Sequence, residues 1–150
     1  MQKPHACCAG CPRENPTDTH PHSYAVAPVP SDADLIIITE NPVCNRYGTF
    51  SSAFEDDSGK ITKRAVAELK RREEYKGLNV AYTYAVRCTS NQGDKEPPKA
   101  VLERCKLLLQ GELTLTKKKP VLLLMGMSAL RALDIKAAKL KDMQGRLLSQ

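Results

Sequence analysis

Six cysteines in 150 residues are the first side chains of this sequence whose type and spacing can do chemistry. Cys8-Ala9-Gly10-Cys11 is a C-x-x-C pair, the spacing at which two thiolates reach one metal centre. Cys88 and Cys105 make a second, looser pair. Cys88 ends a β-branched and aromatic run, Asn91-Gln92-Gly93 breaks the chain, and Cys105 falls about one and a half turns into a helix opened by Pro97-Pro98. Only the folded turn between them brings that pair together. Four cysteines therefore imply one centre, with Cys7 and Cys44 left over. His5, His20 and His22 are ligand types too, although solvated loop histidines read the same way.

The elements that must position these groups follow from periodicity. Residues 34–39 (D-L-I-I-I-T) form a short apolar, β-branched run of the kind buried on both faces of a parallel sheet. Glu40-Asn41-Pro42 follows at its carboxyl end, where open α/β sheets place their ligands, so Glu40 and Asn41 take a functional reading. A loop with Gly48, Phe50, Phe54 and Glu55-Asp56-Asp57 leads into a helix from near Ser58. There Ile61, Ala65 and Leu69, with Val66 beside them, predict the core stripe, and Lys63, Arg64, Lys70, Arg71 and Arg72 point away. Residues 78–86 read as the second strand. In the second helix Val101, Leu102, Cys105, Leu108 and Leu109 share a stripe, which buries Cys105; an ordinary core cysteine would sit there equally well. After Lys117-Lys118-Lys119-Pro120, residues 121–125 (V-L-L-L-M) read as a third buried strand. Gly126 then leads into a helix that Ser128 can cap, and the amide donors there predict a phosphate contact.

The β-loop-α-β-α-β-α order predicts an α/β fold, a three-layer α/β/α sandwich with a central parallel sheet and right-handed crossovers. Residues 1–33, proline-rich and without periodicity, read as an irregular arm anchored by its cysteines, and residues 34–150 as the α/β part of the same single domain.

Neither a signal peptide nor a bilayer-spanning run is visible, since the start is polar and the longest apolar stretch, residues 121–127, is short. The expectation is a soluble intracellular protein in a reducing compartment, where a C-x-x-C favours metal over disulfides. The net charge of +6 is unevenly placed. Residues 1–59 hold 3 basic and 8 acidic side chains, and residues 60–150 hold 20 and 9. The basic part favours a polyanion, with nucleic acid ahead of an acidic protein or lipid surface, and Lys63, Arg64, Lys117, Lys118 and Lys119 as DNA contacts.

Taken together, the C-x-x-C arm, the D-L-I-I-I-T-E-N-P strand and loop, the V-R-C strand end, the helical Cys105 and the V-L-L-L-M-G-M-S-A turn resemble the iron-sulfur uracil-DNA glycosylases, family four of that superfamily. The resemblance runs from about Cys8 to Arg146. It implies a uracil-DNA glycosylase-like fold in which Cys8, Cys11, Cys88 and Cys105 hold a 4Fe-4S cluster that pins the arm; Cys8 rather than Cys7 keeps the two-residue spacing. It implies that Glu40 is the carboxylate that positions the attacking water, with Asn41 beside it, and that Phe50, or Phe54 as a less well-aligned substitute, stacks on the extruded base. Zinc is the alternative metal.

The same resemblance exposes departures. The family reads the uracil edge with an asparagine four residues before the third cysteine, where this chain has Tyr84, and a phenol lacks the paired donor and acceptor of an amide. The glycines expected around Glu40 and Pro42 are replaced by Thr39 and Val43. No histidine follows His22, so the family's histidine-proline-serine turn has no counterpart. Three functions remain open: a DNA-binding domain of this fold without excision activity, acting in replication or repair and continued C-terminally as in a phage-type polymerase; an active glycosylase cut short; or a zinc-binding module for a protein partner. The resemblance places the protein in the cytoplasm of a bacterium or a phage-infected host, with replication or repair proteins as further partners and no membrane.

Overall fold

The apolar run predicted as the central strand is β1, Leu35–Thr39, in a computed structural model that describes residues 11, 29–42, 54, 57–87, 96–136, 139–143 and 145. Two parallel strands flank it among the described residues, β2 at Val80–Tyr84 and β3 at Val121–Leu124, in the order β2-β1-β3. Ile37 lies level with Tyr82 and Leu123, and Thr39 with Tyr84. Ile36, Ile37 and Ile38 are each fully buried, which consecutive strand residues achieve only when both faces are covered. Helices α2 (Lys99–Thr114) and α3 (Met127–Ala132) cover the Ile36 and Ile38 face with Val101, Leu102, Cys105, Leu109, Ala129 and Ala132. Helix α1 (Asp57–Leu69) covers the Ile37 face through Val66, beside Phe54, Tyr82 and Tyr84. The α/β/α layering predicted from element order is present.

Asp34 ties the amino ends of the three strands together. Its backbone amide donates to the Asn79 carbonyl at 2.8 Å, its carbonyl accepts from Val121 N at 2.9 Å, and its carboxylate accepts from Asn79 N and Lys118 Nζ, each at 2.9 Å.

Two elements differ from expectation. The inward face of α1 runs through Gly59, Thr62, Val66 and Leu69, while Ile61 is 66% exposed and Ala65 lies on the exposed flank. The helix rotation is set by Gly59, whose missing Cβ would stand 2.4 Å from the Phe54 backbone; a contact that close outweighs the burial of one isoleucine. Strand β3 is also less buried than its apolar sequence predicts, with Val121 63% and Leu123 46% exposed. Among the described residues it is a sheet edge, and α1 lies over β1 and β2, so no described element covers the α1 face of β3. Val121 and Met125 donate to β1, which turns the amides of Leu122 and Leu124 toward the outer edge. No helix among the described residues is long and apolar enough to cross a membrane.

Candidate active site at the carboxyl end of the sheet

Glu40 is the first residue past β1, and the sheet pairing continues just beyond it. Ala85 N donates to the Thr39 carbonyl at 2.8 Å and Val86 N to the Glu40 carbonyl at 2.9 Å, so the backbone that carries the carboxylate is fixed by β2. The Glu40 Oε2 accepts a hydrogen bond from Ser128 Oγ at 2.9 Å. Ser128 is 1% exposed, and its hydroxyl orients the half-buried carboxylate rather than capping α3. The N-cap of α3 is Gly126, whose φ of 97° is open to glycine and strained for other residues. Asn41 Nδ2 donates to the Pro42 carbonyl at 3.0 Å, a local bond that occupies part of its amide.

Beside this carboxylate stands an aromatic cluster. Phe54 stacks on Tyr84 with ring centroids 5.2 Å apart and tilts against Tyr82 at 5.0 Å. The Tyr84 hydroxyl accepts from Phe54 N at 2.8 Å, and Tyr84 is only 4% exposed. Phe54 itself adopts a φ of 61°, a conformation uncommon for a bulky residue, so its surroundings hold it there. The Lys63 ammonium lies 5.9 Å from the Tyr82 ring centroid, and burial pushes the Tyr82 phenol above its ordinary 10.0. Thr62 on the inner face of α1 donates to the Ser58 carbonyl and reaches Met125 Sδ at 4.0 Å, which ties α1 to the end of β3.

A carboxylate at the carboxyl end of a central parallel strand, with an aromatic wall on the next strand, suits chemistry on a planar ligand. The family model of the uracil DNA glycosylase superfamily matches residues 28–148. The chain belongs to that superfamily. A search of the curated proteins found no significant match.

Within this uracil DNA glycosylase fold the predicted residues separate into groups. Glu40, Asn41, Tyr84, Gly126 and Ser128 gather at the carboxyl end of the sheet. Lys63 and Arg64 are exposed on α1. Lys117, Lys118 and Lys119 are exposed too, but they precede β3 and so stand at the amino end of the sheet, with Lys118 paired to Asp34. Phe50, Cys8 and Cys88 lie outside the described residues. Cys11, half-buried, packs against the core cluster that contains buried Cys105. Sequence reasoning missed the Glu40–Ser128 bond, which joins residues 88 positions apart, and the Phe54–Tyr84 lock. It also missed the buried ion pair of Arg87 and Glu112, 2.6 Å apart, although the basic residue before Cys88 was in view.

Proposed function

We propose that this chain is a DNA-binding domain of the iron-sulfur, family four kind within the uracil DNA glycosylase superfamily, whose base pocket is filled by its own side chains and which does not excise uracil. The observation that carries the reading is Tyr84. Excision needs an extruded base stacked on an aromatic wall, an amide that reads its edge and a donor for the leaving base anion. Here the wall is Phe54, one of its faces is already stacked on Tyr84, and the Tyr84 hydroxyl that would meet a base edge is bonded to the Phe54 amide. Within residues 1–150 no histidine follows His22 to stabilise the leaving group. Glu40, oriented by Ser128, retains the ability to hold a water molecule.

Loss of one such stabilising donor costs a factor of about a hundred to a thousand, so two losses bring excision by these 150 residues near background. A strand-nicking assay on uracil-containing single- and double-stranded oligonucleotides is expected to give no Glu40-dependent product, with Glu40→Ala as the control. The oriented Glu40 carboxylate favours a second reading, an active enzyme with altered base preference. Turnover that disappears in Glu40→Ala would establish it and overturn the first.

The same reading assigns Cys8, Cys11, Cys88 and Cys105 to one 4Fe-4S cluster. In its support, Cys11 meets the core cluster of Cys105, and the donor set is four thiolates, as such clusters require. When bound, the cluster supplies cross-linking rather than base chemistry, joining the arm of residues 1–33 to the rest of the domain at the end of β2 and at α2. Anaerobically purified protein should contain iron and sulfide in near-equal amounts and absorb visible light, whereas zinc would leave it colourless. Cys88→Ser should lose the iron and Cys44→Ser should keep it; dispersed iron loss in both would refute the assignment. The natural setting proposed is DNA replication or repair in the cytoplasm, alongside replication or repair proteins or as the amino-terminal part of a longer, phage-type polymerase.

A further inference from the structure

Arg87 is 2% exposed, yet only part of its hydrogen-bonding capacity is used. Its Nη2 donates to Glu112 Oε2 at 2.6 Å, while Nε and Nη1 are buried without a partner. A guanidinium has five N–H donors and no acceptor, so these orphaned donors call for an acceptor that the described protein groups do not provide. Its surroundings narrow the choice. Arg87 directly precedes Cys88 in the chain. Its partner Glu112 is seven residues beyond Cys105 on α2, about two turns, and so lies on the same stripe of that helix. The other contact of Glu112 Oε2 is the Val29 amide at 3.3 Å, and Val29 packs with Cys11 against the cluster that contains Val86 and Cys105. The two orphaned donors of Arg87 thus stand among segments that carry three of the four cysteines.

We propose that Arg87 is a positioning residue for the thiolate centre of Cys8, Cys11, Cys88 and Cys105, its Nε–H and Nη1–H donating to the sulfurs of that centre while Glu112 holds Nη2. The inference rests on the iron-sulfur reading above. An anionic cluster whose sulfurs accept hydrogen bonds supplies the acceptors that these two buried donors lack, and such bonds are among the levers that set a cluster's reduction potential. Glu112 has a second task on this account, since it turns the guanidinium and tethers Val29 at once.

The test uses the whole chain, purified anaerobically, with iron and sulfide measured first. Arg87→Gln should lower the midpoint potential in an EPR-monitored titration and release iron to a chelator several-fold faster, because the more anionic reduced cluster loses more from the missing N–H donors and positive charge than the oxidised one does. Arg87→Lys, which keeps the charge, should recover part of the potential. If Arg87→Gln fails to fold because Glu112 is left buried alone, the paired variant Arg87→Met with Glu112→Leu removes both charges and should show the same lowered potential. A variant with full iron and an unchanged potential and release rate would overturn the role of Arg87 and leave the cluster standing. Wild-type protein that holds zinc or no metal would overturn both.

Discussion

Phe54 is held by three constraints that converge on one backbone unit: the Tyr84 hydroxyl on its amide, the bare Cα of Gly59 against its carbonyl, and the Tyr82 and Tyr84 rings around its own. Each can be removed singly. Tyr84→Phe keeps the ring and deletes the acceptor, leaving a buried amide whose cost is about 1–3 kcal/mol. Gly59→Ala would gain helix propensity at an ordinary helical site, but a Cβ 2.4 Å from backbone atoms must push the Phe54 turn away, a strain of about 1–3 kcal/mol. Both losses are read by chemical denaturation of the variants, and a neutral or stabilising Gly59→Ala would refute the packing described. The chemistry of single residues was unevenly legible in the sequence. Glu40 was visible because position at a strand end is a local property. Ser128 as its partner was not, since the two are 88 positions apart and only the β1–β3 pairing brings them together. Phe54 stood second to Phe50 on alignment alone, and the hydroxyl that fixes it belongs to another strand.

At the scale of elements, consecutive isoleucines announced the central strand, and the alternation of strands with amphipathic helices announced the layers. What periodicity could not supply was rotation and neighbourhood. The Ile61–Ala65 stripe of α1 was displaced by one position because Gly59, which contributes nothing to an apolar pattern, makes the closest contact. Strand β3 reads as buried from composition, but exposure depends on whether another element lies beside it. The strand starts are joined by Asp34, and that joint is titratable. The Asn79 amide first, then Lys118, hold its carboxyl below the ordinary 3.8. The folded value is therefore below the unfolded one, so the contribution to stability is complete above 3.8 and is lost as pH falls past it through the folded value. Lys118 is raised by the same contact, so its share is present below its ordinary 10.5 and is lost as pH rises through the raised value. Asp34→Asn should unfold more readily than wild type near neutral pH, and the gap should close in strong acid; a gap constant with pH would refute the assignment.

At the scale of the molecule, the lysines and arginine predicted as DNA contacts fall in two regions, with Lys63 and Arg64 on α1 and Lys117 and Lys119 at the opposite end of the sheet from Glu40. If DNA approaches the carboxyl end, Lys63→Ala with Arg64→Ala should weaken binding more than Lys117→Ala with Lys119→Ala. Wild-type affinity should fall steeply with salt, because counterions released into more concentrated salt gain less entropy. Equal losses in the two pairs, or affinity indifferent to salt, would count against that approach. The open side of β3 bears on how the molecule behaves in concentrated solution. Among the described residues, Leu122 and Leu124 offer amide and carbonyl groups to any strand that comes alongside, Val121 and Leu123 present an exposed apolar strip, and neither proline nor charge interrupts residues 121–125. Such a margin is a template for intermolecular β-pairing, normally blunted by lysine, proline or a covering segment. Where no further segment lies along it, aggregation would begin from the native fold, strand against strand, and rise with protein concentration even where unfolding is negligible.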